Sequence, residues 1–381
     1  MRMLFGFAGG IGHFLPLAPI ARAAQAAGHT IAVAGRPQHQ AEVEAPGFDV
    51  FPIGEDADVS ASRTPLRPLN PRLEDRVLRE GFARRIAAER AAALVPLVEA
   101  WRPDAIVCDE TDFGAMVAAE RLGVPHANVL VLAAGSFARR PVIEGPLHEL
   151  RAAHGLPPDP GLAMLDRDLV LSPFPPSFRD PAFPLPSTGH AFRPAATDPD
   201  GGPPACVGDI QPGPCVYVTL GTVFNLESGD LFERVLEGIG NLPISVVVTV
   251  GRGLEPIALG DVPSNVRVEG FVPQAVLLPH CDLVVCHGGS GSVTGALAYG
   301  VPLVVLPMGA DQPMNAARVE ALGVGLVLDA IGSAPEDIRG AVRQVLDDPA
   351  YRRAAGRVRD EVAALPGPEH AVSLIEGLRT T

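Results

Sequence analysis

The run "GGIGHFLP", residues 9–16, sets an imidazole, His13, inside a glycine-rich loop that follows the apolar stretch "MRMLFGF". A phosphate cradle needs only close backbone and a helix start. The histidine adds a group whose proton exchanges near neutrality, with an unperturbed pKa of about 6.5. A carboxylate on its far nitrogen would support the cation it becomes when it takes up a proton. Asp109, which ends the strand-like run "DAIVC", is the first candidate and Asp112 the second. Strands of a parallel sheet end on one side, so a strand-end Asp reaches the His13 loop despite its distance in sequence. The plainer readings are a capping or core histidine and an N-cap aspartate for the helix "TDFGAMVAAERLG".

A second constellation lies in "CDLVVCHGGSGSVTGALAYG", where a strand runs through His287, Gly288, Gly289, Ser290, Gly291 and Ser292 into a helix. The first amides of that helix are unpaired and its dipole favours an anion. His287 offers a ring N–H and Ser292 a hydroxyl. Without a ligand, the same run is a serine-rich cap. Two stretches flank it, "GFVPQ" (270–274) and "MGADQPMNA" (308–316), and a further glycine turn ends "CVYVTLGT" (215–222).

In this order, the three later motifs and the opening loop resemble glycosyltransferases of the GT-B fold. The nearest likeness is to the bacterial branch of the UDP-glycosyltransferase superfamily, which decorates macrolides, polyketides and other natural products. The resemblance covers nearly the whole chain. It implies an α/β protein of two Rossmann-like domains facing each other across a cleft. It also implies an inverting transfer from a nucleoside-diphosphate sugar, expected to be dTDP-linked, to a small acceptor. His13 would be the general base and Asp109 its partner. Phe271 would lie against the nucleotide base, Val272 would read the base edge through its backbone, and Gln274 would reach base or ribose. His287, Gly289, Gly291 and Ser292 would hold the diphosphate, with Gly221 and Thr222 approaching from the other side. Asp311 and Gln312 would bind the donor sugar. Two positions depart from the family: Gly295 stands where plant members carry a ribose-binding Glu, and Cys286 where many bacterial members double the histidine.

No D-x-D-type metal motif stands at a strand end, so neither metal nor cofactor is expected. An NADP-dependent oxidoreductase is the competing reading from another class. "GGIGHFLP" nearly matches G-x-G-x-x-G, but Leu15 replaces the third glycine, and only Arg36 could meet a 2′-phosphate. That reading leaves the second-half motifs unexplained. A catalytically silent nucleotide-sugar binder would have no use for the pair His13 and Asp109. A GT-B sugar-nucleotide epimerase would share the donor motifs.

These residues need two α/β scaffolds, and 381 residues suffice for both. "RMLFGF", a helix ending at Gly28 and "TIAVAG" make a βαβ unit. A long helical stretch, "LEDRVLREGFARRIAAERAAALVPLVEAW", is expected to break near Gly81 or Pro96. Residues 54–73 read as a loop and 134–200 as irregular and Pro-rich. We expect an acceptor domain over 1–200, a linker near 193–213 and a donor domain over 205–365. A tail, 366–381, would cross back to the first domain.

The net charge is −14 and every basic residue is Arg, which disfavours nucleic acid as a partner. No apolar run is long enough to span a bilayer and no signal peptide is evident. A cytoplasmic protein is expected, with a homodimer left open. Five cysteines, with no C-x-x-C, suggest neither disulfides nor structural zinc.

Overall fold

The computed structural model describes residues 1–44, 47–54, 63–194, 205–208, 210–251 and 253–378. Most of the expected 193–213 linker falls outside them.

Two parallel sheets organise the chain. The first is built from β1 (Arg2–Gly6), β2 (Thr30–Gly35), β3 (Asp49–Pro52), β4 (Ala105–Asp109), β5 (His126–Val129), β6 (Leu169–Ser172) and β7 (Gly189–Ala191), in the order 3-2-1-4-5-6-7. The second holds β8 (Cys215–Thr219), β9 (Ser245–Thr249), β10 (Val266–Glu269), β11 (Leu283–Cys286), β12 (Leu303–Val305) and β13 (Gly325–Val327), in the order 10-9-8-11-12-13. Central strands such as "AIVCD", "CVYVT" and "LVVC" are buried along their whole length. Continuous β-branched, apolar runs suit strands covered by helices on both faces.

In each sheet the strand order reverses at one place, between β1 and β4 and between β8 and β11. Gly6 pairs with Cys108, and Thr219 with Cys286. Ligand crevices form at such reversals. The His13 loop leaves β1, and Asp109 ends β4. The turn at Gly221 leaves β8, and His287 follows β11. The sheet topology alone therefore brings each pair of distant motifs to one crevice.

The long helix does not break where expected. It starts at Pro71 behind Asn70, whose side chain accepts from the Leu73 amide at 3.2 Å, and it runs to Trp101. Pro96 stays inside because Leu94 and Val98 beside it are buried in the core. Around Gly81 the helix widens rather than stops: Val77–Ile86 is π-helical, and the Ala87 amide reaches the Phe82 carbonyl five residues back. Gly114 lets the next helix, Phe113–Leu122, pack close; a β-carbon there would strike the Ala87 carbonyl at 2.6 Å.

The region 134–200 is more regular than its composition suggests, with a helix at Arg140–Ala153 and strands β6 and β7. The last helix, Pro368–Gly377, buries Ala371, Val372 and Ile375 in the same core as Phe5, Leu17 and Ile20. Glu376 meets His29 at 2.9 Å, and the Arg193 amide donates to the Pro366 carbonyl at 2.7 Å. Among the described residues, no helix is long and apolar enough to cross a membrane. Cys108, Cys215, Cys281 and Cys286 are free and buried.

Candidate active site

His13 lies in the single turn Ile11–Phe14, directly after an extended Gly10. Its loop glycines do not serve to reverse the chain, since none of Gly9, Gly10 and Gly12 has positive φ. Gly9 instead makes room: a β-carbon there would fall onto the His13 ring, at near-equal distances from three of its atoms. That geometry puts Gly9 over the imidazole face.

His13 Nδ1 stands 3.3 Å from Asp109 Oδ1 and 3.3 Å from Thr111 Oγ1. Asp109 is completely buried. Its Oδ2 accepts from the Ala8 amide at 2.7 Å, and its Oδ1 accepts from the Thr111 amide and hydroxyl at 2.6 Å each. Burial alone would raise its pKa, but the nearby His13 and these donors hold the carboxyl below the ordinary carboxylate range. Burial by itself would lower His13. The Asp109 charge outweighs it, with Glu110 and Asp311 adding to the effect, so the imidazole sits above its usual pKa. Phe82, from the π-helical segment, stacks on the His13 ring with centroids 6.0 Å apart and planes 12° apart.

Asp112, the second candidate, is committed elsewhere. Arg90 Nε donates to its Oδ1 at 2.7 Å inside the core, and the same oxygen caps the Phe113–Leu122 helix through the Ala115 amide. Glu110 shares the strand end. It accepts from the Val131 and Leu132 amides at 2.6 and 2.7 Å, and burial pushes its carboxyl up to about 7.

On the other domain, His287 is buried, and burial pushes its pKa down to about 4. The ring is therefore neutral near pH 7, an N–H donor rather than a cation. Gly221, with φ +80°, leaves space for it; a β-carbon there would meet Nε2 at 2.7 Å. Gly289 is also forced, because its β-carbon would strike the same nitrogen. Gly291 and Ser292 open the helix Ser290–Ala298, Gly291 exposed and Ser292 buried. Gln274 Nε2 lies 3.5 Å from Ser292 Oγ, and a β-carbon at Gly295 would meet Gln274 Oε1 at 2.9 Å. The space of the missing Glu side chain thus adjoins Gln274. Phe271 is 55% exposed, Thr222 is exposed and Val272 is buried. Cys286, beside His287, points into the core, and burial pushes its thiol up to about 12.

Asp311 and Gln312 differ in their hydrogen-bond partners. Gln312 is buried, and its Oε1 accepts from the Met308 and Gly309 amides at 2.7 and 3.2 Å. It braces the loop that carries Asp311. Asp311 Oδ2 accepts from Ser290 Oγ at 2.6 Å and from Asn315 Nδ2 at 2.7 Å. Ser290 Oγ in turn accepts the Ala133 amide of the first domain at 2.7 Å, and Asn315 Oδ1 accepts the Ala134 amide at 3.2 Å. Residue type and spacing do not single out Thr111, Ser290, Asn315 or Phe82. Ser290 and Asn315 lie inside motifs that do stand out, and Thr111 lies two residues from Asp109. Nothing in the sequence marks Phe82.

Two Rossmann-like sheets, each with its strand reversal turned to a common cleft, a histidine–aspartate pair on one side and a glycine-rich helix start on the other, define a GT-B glycosyltransferase. Models of the erythromycin biosynthesis protein CIII-like family match both halves, its N-terminal domain over residues 22–180 and its C-terminal domain over 233–378. The chain is 32% identical to 4'-demethylrebeccamycin synthase of Lentzea aerocolonigenes, across 99% of both chains. It is 29% identical to the 3-alpha-mycarosylerythronolide B desosaminyl transferase of Saccharopolyspora erythraea, across 99% of this chain and 98% of that one. The structure of the glycosyltransferase SnogD from Streptomyces nogalater superposes with a TM-score of 0.80 at 25% identity, covering 100% and 99% of the two chains. The protein belongs to the EryCIII-like family of bacterial natural-product glycosyltransferases.

Proposed function

We propose that the protein transfers a sugar, with inversion, from a dTDP-linked donor to a hydroxyl of a polyketide-type or related aglycone. The observation that carries this reading is the His13–Asp109 contact of 3.3 Å at the cleft end of β1 and β4. His13 accepts the hydroxyl proton as the acceptor oxygen bonds to the anomeric carbon. The bond from that carbon to the diphosphate breaks, and the nucleoside diphosphate leaves with the electron pair. Asp109 stabilises the imidazolium. The neutral His287 N–H, Ser292 and the first amides of the Ser290–Ala298 helix receive the diphosphate. Phe271, Val272 and Gln274 take the nucleoside, Gly221 and Thr222 close on the phosphates, and Asp311 meets the sugar.

Support for the thymidine nucleotide comes from a relative 30% identical over 96% of this chain, the TDP-daunosamine transferase DnrS of Streptomyces peucetius. In this reading the reaction needs no metal ion, because the His287 N–H, the Ser292 hydroxyl and the first amides of the Ser290–Ala298 helix would meet the diphosphate charge. The test is turnover of dTDP- and UDP-sugars against a panel of aglycones, with the product's anomeric configuration read by NMR. Retention of configuration, or preference for UDP donors, would refute the corresponding part.

A further inference from the structure

We propose that Phe82 is a positioning residue for His13 and that the π-helical segment exists to deliver it. This rests on the reading of His13 as the base. An α-turn closes after four residues and a π-turn after five. Each extra residue rotates everything upstream by about 100° relative to an unbroken α-helix. The Val77–Ile86 segment therefore changes which side chains of the 71–101 helix face the crevice. Such segments cost helix regularity and concentrate at functional sites. Here the side chain that reaches the crevice is Phe82, half-buried, parallel to the imidazole within 12°.

The base needs this support. His13 sits on a four-residue turn with no side-chain cap. Its Nδ1 contacts, to Asp109 and Thr111, are both 3.3 Å, long for N–H···O bonds. They fix one edge of the ring and leave its tilt free. Gly9 covers the ring with backbone alone. Phe82 adds the side-chain surface that sets the plane. With the plane set and Nδ1 turned to Asp109, Nε2 has one direction left, into the cleft. Small misplacements of a reacting group are expensive, about a hundredfold in rate for an ångström.

The experiment compares Phe82→Ala, Phe82→Leu and Phe82→Tyr. Turnover is measured at saturating donor on an alkyl-alcohol acceptor, together with dTDP affinity and the rate at which diethyl pyrocarbonate modifies the His13 peptide. Phe82→Ala should lower kcat about ten- to a hundredfold with acceptor KM little changed. dTDP affinity should hold and His13 modification should accelerate. Phe82→Tyr should restore the wild-type values, and Phe82→Leu should fall between. An unchanged kcat with a raised acceptor KM would make Phe82 an acceptor contact and overturn the proposal. So would unchanged modification of His13. The modification rate does not require His13 to be the base. If His13→Ala kept full activity, the base reading would fall while the modification data still judged the packing. Should Phe82→Ala not fold, the Leu and Tyr variants carry the same comparison.

Discussion

Asp109 turns one carboxylate oxygen to His13 Nδ1, 3.3 Å away, and the other to the amide of Ala8, 2.7 Å away. The Ala8 amide belongs to the loop that carries His13. One buried carboxylate therefore fixes where the loop leaves β1 and also sets the charge its histidine feels. Removing only the charge should separate these effects. In the native protein the Asp109 charge holds His13 above its usual pKa, against burial. As the proposed base, His13 acts when neutral, so activity should fall on the acid side with a midpoint above about 6.5. In Asp109→Asn burial is left less opposed. The acid limb of kcat/KM should move to lower pH while the plateau drops. A limb that stays in place would show that another group titrates.

His13→Ala should lose on the order of 10²–10⁴-fold in rate. dTDP affinity should barely change. Combined with Asp109→Asn the losses should not add, because the two act as one unit. An alkyl-alcohol acceptor is the proper substrate, since an acidic phenol needs less base. Near-full activity of folded His13→Ala would reduce the residue to a structural cap.

Asp311→Ala should depress transfer more than it weakens binding of free dTDP. Ser290→Ala is the control, because Ser290 joins Asp311 to Ala133 without being placed against the sugar. If both variants lose turnover equally, Asp311 works through the contact between domains. If Asp311→Ala loses far more, the sugar contact stands.

Arg90→Met leaves Asp112 buried without its cation. The first domain should be destabilised by about 3–5 kcal/mol in denaturant unfolding. Adding Asp112→Asn should recover part of the loss, as the charge is then gone. Loss below about 1 kcal/mol, the range of exposed pairs, would mean that the pair is solvated in solution.

Transfer should persist in excess EDTA. Complete loss, restored by magnesium or manganese, would contradict the use of His287 and the helix start as the anion site.

The parallel sheets were legible in the sequence because their strands are uniformly apolar and their loops rich in glycine. The His13 and His287 loops were legible because rare residue types sit at strand ends. What the sequence hid has three physical causes. Pro141 and Pro146 masked the Arg140–Ala153 helix, although Pro141 sits in its first turn, where a missing N–H costs nothing. The π-helical turns around Gly81 carry the residues of an ordinary helix and become visible only through a hydrogen bond. The network of Asp311, Ser290, Asn315 and the Ala133–Ala134 amides joins two domains, so no local spacing announces it. The sequence ranked Asp109 before Asp112 by its place at a strand end, and the Arg90 contact that occupies Asp112 is visible only in the fold.

The helix Pro368–Gly377 is last in the chain, yet its apolar face is part of the core built on β1. This constrains recombination among relatives. A chimera made by one crossover between the sheets would pair the first domain of one parent with the closing helix of another. The mismatch would fall on Ala371, Val372 and Ile375 against Leu17 and Ile20, and on Glu376 against His29. Exchange of the second sheet between relatives therefore calls for two crossovers, the second before Pro368, so that each first domain keeps its own final helix.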